Sequence, residues 1–165
     1  MADVRGALPI HTHAMTRANE LTMPFVEMTA AQFQAHLDTR SVNTDDPDAV
    51  AAWFADDAVQ RRVATGEVAK GREEIRAAVA ETFGVLPDLR IEVHDAFATG
   101  NRMCVQGVLT GTHRGEWMGI PPTDRAIEVE TCLVFRFNED GLVAEETIYG
   151  DSATVLSQLG LLAGA

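Results

Sequence analysis

The sequence predicts an α+β domain. A cone-shaped, curved antiparallel sheet is closed by N-terminal helices, and a short helix follows at the C-terminus. Two observations carry this expectation. Before Pro87 the apolar residues recur at helical spacing. After Pro87 the period falls to two, and turn signals divide the remainder into strands long enough to curl.

The elements follow in order. Residues 1–28 hold Pro9, His11, His13 and Pro24 without periodicity and read as a partly ordered arm; the domain proper is 29–165. Thr29 can cap a helix running to about Asn43, with Phe33 and Leu37 on one face. Asp46-Pro47 marks a second start, because proline at the first helical position loses no hydrogen bond. That short helix carries Val50, Trp53 and Phe54, and residues 58–63 read as a short strand. Gly71 opens the clearest helix, whose stripe is Ile75, Ala78, Val79, Thr82 and Phe83; Gly84 and Pro87 end it. Strands are then expected over 89–98, 102–113, 126–137 and 142–149, with turns at Gly100-Asn101 and Asp140-Gly141. A last helix should start near Asp151 and stop at Gly160.

Composition narrows the function classes. The net charge of −12 repels phosphate, so neither nucleic acid nor an anionic membrane surface is expected as a partner. No stretch approaches the length of a membrane span, and Met1 to Met28 lacks the pattern of a signal peptide. The two cysteines, Cys104 and Cys132, lack metal-binding spacing and are expected as buried free thiols in a cytoplasmic protein. His11 and His13 find no third ligand, so no metal is expected.

Residues 111–125, GTHRGEWMGIPPTDR, carry the most specific signal. Lys70-Gly71, PDLR at 87–90, Asp140-Gly141 and QLG at 158–160 accompany it. Together, over residues 38–161, they resemble the SnoaL-like polyketide cyclases of the nuclear transport factor 2-like superfamily. The resemblance implies a homodimer with a hydrophobic pocket for a small apolar organic substrate. It also implies acid/base catalysis of intramolecular ring closure without cofactor or metal. In those cyclases the catalytic aspartate aligns with Ile148, its histidine partner with Val134, and an asparagine of the first strand with Gln60. Neither isoleucine nor valine can carry a proton, so the acid/base pair must lie elsewhere or be absent.

Candidate residues follow from position. Glu130 would be a buried proton acceptor if Glu128, Glu130, Cys132 and Val134 form the inner face of their strand; the opposite face carries Ile127, Val129, Thr131, Leu133 and Phe135. Asp151 is a displaced base or a helix cap, and His113 a general acid, hydrogen-bond donor or loop anchor. Glu145 and Glu146 point to opposite faces, so one of them can enter the pocket. Gln60, Trp53, Trp117, Met118 and Tyr149 are candidate substrate contacts, and Arg61 or Arg62 could face inward beside Gln60. His94 reads as an exposed strand histidine. The expectation is a cofactor-independent enzyme that cyclises, isomerises or hydrates a polyketide-like carbonyl compound. The alternative is a non-catalytic small-molecule binding protein of the same fold.

Overall fold

The computed structural model describes residues 28–162. The expected arm, with His11 and His13, lies outside the described residues apart from Met28, which packs against the core. Helix α1 (Ala30–Arg40) begins with a reciprocal cap: Gln32 N donates to Thr29 Oγ1, and Thr29 N donates to Gln32 Oε1. It stops short of Asn43, which instead belongs to a 3-10 turn, Val42–Thr44. Helix α2 (Pro47–Ala51) starts as predicted, with Asp46 Oδ1 accepting from the N–H groups of Asp48 and Ala49. Helix α3 (Arg72–Val85) buries Ile75, Val79 and Phe83, the centre of the predicted stripe.

Six strands form one sheet: β1 (Phe54–Arg62), β2 (Val68–Lys70), β3 (Arg90–Thr99), β4 (Arg102–Thr112), β5 (Ala126–Phe137) and β6 (Val143–Gly150). Their order is β2-β1-β6-β5-β4-β3. Strand β1 starts four residues earlier than expected, and β2 is an addition, folded back on β1. The sheet is antiparallel except at one seam, where β1 runs parallel to β6. That seam joins strands from opposite ends of the chain, so no local turn signal announces it. Helix α4 (Ser152–Gln158) closes the chain. Phe33, Leu37, Trp53, Phe54, Ile75 and Phe83 pack with Met103, Val105, Phe135 and Phe137 between helices and sheet.

Side-chain amides stand in for missing strands at two exposed backbone edges. At edge strand β3, Ile91 O accepts from Gln34 Nε2 and Asn43 Nδ2, both at 3.1 Å. Ile91 N donates to Asn43 Oδ1 (2.8 Å), and Val93 N to Gln34 Oε1 (2.6 Å). Asp38 Oδ1 receives both amides and holds them in place. Beyond Thr131 toward its start, β5 has no β6 partner. There Gln158 of α4 accepts from Glu128 N and donates to Glu128 O, each at 2.9 Å. Blocked edges resist pairing with other chains. The double substitution Gln34→Ala with Asn43→Ala removes the four hydrogen bonds to the β3 edge, with the two to Asp38, and should cost about 2–4 kcal/mol. It should also raise light scattering on heating, and an unchanged melting temperature would show that the edge is held otherwise.

Candidate functional site

An apolar cavity of about 270 Å³ lies between the sheet and the helices. Strand β5 paves it with Ile127, Val129, Thr131, Leu133 and Phe135, so the inner face is the opposite of the one that would bury Glu130. Phe33, Leu37, Trp53, Phe54 and Phe83 supply much of the remaining wall.

Glu146 of β6 reaches this cavity and is the buried carboxyl among the described residues, 7 % exposed. Gln60 of β1, its register partner across the parallel seam, donates from Nε2 to Glu146 Oε2 at 2.7 Å. Burial pushes the Glu146 carboxyl up to about 7, against the weaker opposing pulls of the Gln60 N–H and of Arg62. Arg62 lines the cavity, but its Nη2 donates to Ala78 O (3.0 Å) and Thr82 Oγ1 (2.8 Å) of α3. Its Nη1 lies 3.5 Å from Glu67. The guanidinium is thus engaged by α3 and Glu67, and Glu146 is left with an amide partner. A carboxyl that titrates near neutrality in an apolar hollow can take a proton from carbon and return it.

His113 follows β4 and is 1 % exposed. Its ring lines the cavity, its Nδ1 is 3.0 Å from Thr123 Oγ1, and its Nε2 is buried without a hydrogen-bond partner. Backbone pairing fixes it in place: His113 N donates to Arg125 O, and Asp124 N to His113 O. Trp117 lines the cavity from a tight turn closed by two hydrogen bonds with Ile120. Met118 and Gly119 form the tip at φ 51° and 80°, the left-handed pair that such a hairpin requires.

Several expected site residues lie outside the cavity. Glu130 is exposed on the outer face, where a shallow groove gathers it with His94, Gln106, Cys132, Tyr149 and Asp151. Strand alternation puts it there, because neighbours in a strand face opposite ways. Asp151 is the N-cap of α4, accepting from Ala153 N and Thr154 N; these bonds and the Thr154 hydroxyl hold its carboxyl below the usual range. Tyr149, 47 % exposed, belongs to the outer groove, and Met118, 66 % exposed, sits at its turn tip away from the lining. Trp53 is buried in the cavity wall. Glu145 pairs with Arg136 at 2.8 Å and does not line the cavity, and Arg61 is exposed. Val134 pairs with Thr147 and does not line the cavity; Ile148 does, two positions beyond Glu146. Cys104 and Cys132 are free but only half-buried, with their Sγ atoms 3.4 Å apart. Among the described residues no three His, Cys, Asp or Glu side chains are arranged to hold a metal ion. No helix among them is long and apolar enough to cross a membrane.

The signature segments meet in space. Arg125 Nη1 donates to Gln158 O (3.3 Å), and Gly160 at φ 77° lies where a Cβ would stand 2.3 Å from that Nη1. Asp88 accepts from Thr112 N and Oγ1, both at 2.7 Å, and ties the PDLR turn to the end of β4. These contacts hold the His113–Trp117 loop over one end of the hollow.

A curved sheet folded over helices around an apolar hollow defines the ketosteroid isomerase-like, nuclear transport factor 2-like class. Residues 32–159 match the family model of the SnoaL-like polyketide cyclases, and the chain belongs to that family. A comparison with curated protein sequences finds no match. Among solved structures, a candidate SnoaL-like polyketide cyclase from Jannaschia sp. CCS1 superposes with a TM-score of 0.70 at 21 % identity, over 82 % of this chain and 93 % of that one. IdmH, a candidate polyketide cyclase from Streptomyces antibioticus, gives 0.62 at 28 %, over 79 % and 94 %. AclR, a candidate hydroxylase from Streptomyces galilaeus, gives 0.64 at 24 %, over 74 % and 79 %.

Proposed function

We propose that the protein is an acid/base enzyme acting on an apolar, polyketide-like carbonyl compound, with Glu146 as the proton acceptor. The observation that carries this reading is a buried carboxyl, raised to about 7, facing an apolar cavity in a family of cyclases. Glu146 would remove a proton from the carbon beside the substrate carbonyl. The Gln60 amide has two N–H groups; one is committed to Glu146, and the second would stabilise the enolate oxygen. The enolate carbon would then attack a second carbonyl within the same molecule, whose π electrons pass to an alkoxide that takes the proton back from Glu146, or be reprotonated by Glu146 at another position, giving cyclisation or isomerisation. No electrons enter or leave in either outcome.

Proton exchange at carbon tests the shared first step. The probe is 2-tetralone, a bicyclic apolar ketone, in D2O, followed by proton NMR. Exchange in excess of the buffer rate should rise with pH and level off above about 7, as Glu146 becomes the carboxylate. A bound probe that exchanges no faster than free probe at every pH would favour the second reading, a non-catalytic binding protein. Ile148, at the position where relatives carry the catalytic aspartate, speaks for that reading.

A further inference from the structure

We infer that His113 forms a second polar station of the cavity, which donates through Nε2 to an oxygen of the substrate remote from the carbonyl held at Glu146. The inference rests on the cavity being the substrate site and adds to it the class of molecule: an elongated apolar compound oxygenated at both ends.

A buried polar atom without a partner costs about 1–3 kcal/mol, so an apolar cavity keeps one only where something satisfies it. The His113 ring meets that description, buried, lining the cavity and unpartnered at Nε2. Nε2 is a donor in the tautomer in which Thr123 donates to Nδ1. Thr123 Oγ1 accepts from Arg125 N at 3.4 Å and lies 3.0 Å from His113 Nδ1, to which its own proton can be donated. With Thr123 donating to Nδ1, the ring proton sits on Nε2 and faces the ligand as a donor.

The separation sets the ligand's shape. His113 is held by Arg125, the residue before β5, and Glu146 pairs with Phe135 of that strand. Those two partners lie toward opposite ends of the strand, and the curl of the sheet turns the His113 and Glu146 side chains into one cavity of about 270 Å³, the scale of a compound of two or three rings. The inward side chains between them are apolar except Thr131, whose hydroxyl is committed to Tyr149 O at 3.0 Å. A compound with a single carbonyl therefore satisfies one station and leaves the other bare.

The test compares 2-tetralone with 6-hydroxy-2-tetralone, whose added oxygen lies at the opposite end of the same ring system. The wild-type protein should bind the hydroxylated probe roughly tenfold more tightly, the worth of one buried hydrogen bond. In His113→Phe that gain should vanish, the two probes then binding equally. Wild-type protein labelled with 15N supplies a readout that needs no variant. The His113 Nε2–H resonance should move with the hydroxylated probe and stay with 2-tetralone. Thr123→Val should lose the gain and shift the ring toward the other tautomer. Equal affinity for the two probes in the wild type, or a gain that survives in His113→Phe, overturns the inference. Glu146→Gln separates the two readings, since it should stop exchange yet keep the hydroxyl's tenfold gain. Loss of exchange catalysis in the wild type with that gain intact would remove the enzymatic reading alone.

Discussion

Replacing Glu146 by glutamine is expected to abolish catalysis and, above pH 7, to make the protein more stable. The activity loss should be roughly 10²- to 10⁴-fold, the usual contribution of a positioned general base. The gain in stability follows from linkage. Glu146 has an ordinary value of 4.5, raised by burial to about 7 in the folded chain. Between those two values the unfolded chain has released the proton and the folded chain still holds it. Unfolding stability therefore falls as pH climbs from about 4.5 to about 7, and it stays at the lower level beyond. The full loss is about 3 kcal/mol, since each unit is worth about 1.4 kcal/mol. Glutamine has nearly the same shape, can still hydrogen-bond Gln60, and never ionises. The variant should match the wild type in stability near pH 4 and exceed it by up to about 3 kcal/mol at pH 8. Thermal melts at both pH values check this. A lower melting temperature for the variant at pH 8 would mean that the carboxylate is compensated in the fold, and would remove the reason for its raised value.

The same change separates folding from function at one residue. A charged carboxylate in an apolar hollow weakens the fold, yet it is the form that accepts a proton. Sequence reading favoured Glu130 as the inward carboxyl and left Glu145 or Glu146 open, whereas the structure turns Glu146 inward, for reasons visible in the strands. On β5 the inner face carries Ile127, Val129, Leu133 and Phe135, while Glu128, Glu130 and Arg136 share the other. The charges on one side identified the solvent face, and giving Glu130 an inner place ran against them. On β6 alternation alone misleads. Val143 is buried, so strict alternation would put Glu145 inside and Glu146 outside. The pairing with β5 shifts between Arg136 and Phe137, where Ala144 is the extra residue, and this bulge reverses every facing after it. Glu146 thereby turns inward, and Glu145 turns out to meet Arg136.

Helices were legible because their signals are local. Thr29, Asp46-Pro47 and Gly71 are all observed at helix starts. Nothing local could reveal that β1 lies beside β6 or that Gln60 meets Glu146, since 86 residues separate that pair. The family motifs fared better, because each is tied to a contact. Arg125 donates to Gln158 O beside Gly160, and Asp88 accepts from Thr112. Motifs of this kind report packing of the loop over the cavity and say nothing of which acid lies beneath it.

Gly115, in the middle of that loop, should tolerate no side chain. A Cβ there would stand 2.3 Å from Gly84 O and 2.9 Å from Val85 Cα, all backbone at the end of α3, which cannot swing aside. The close approach has a use. The N–H groups of Arg114 and Gly115 both donate to Val85 O, at 2.9 and 3.2 Å, and satisfy a helix-end carbonyl. Gly115→Ala must push the loop off α3, break those bonds and move His113 and Trp117, each two residues away. The expected cost is about 2–3 kcal/mol. Trp117 fluorescence should shift to the red as water reaches the ring. Gly84→Ala, at the other side of the same contact, gives the control: its Cβ would meet nothing within 4 Å, and it sits inside a helix. That variant should gain about 0.5–1 kcal/mol. A pair of opposite shifts locates the constraint in the loop's approach to the helix. Two equal losses would instead place it in the glycine backbone itself, and the loop would owe its position over the cavity to the Arg125–Gln158 and Asp88–Thr112 contacts.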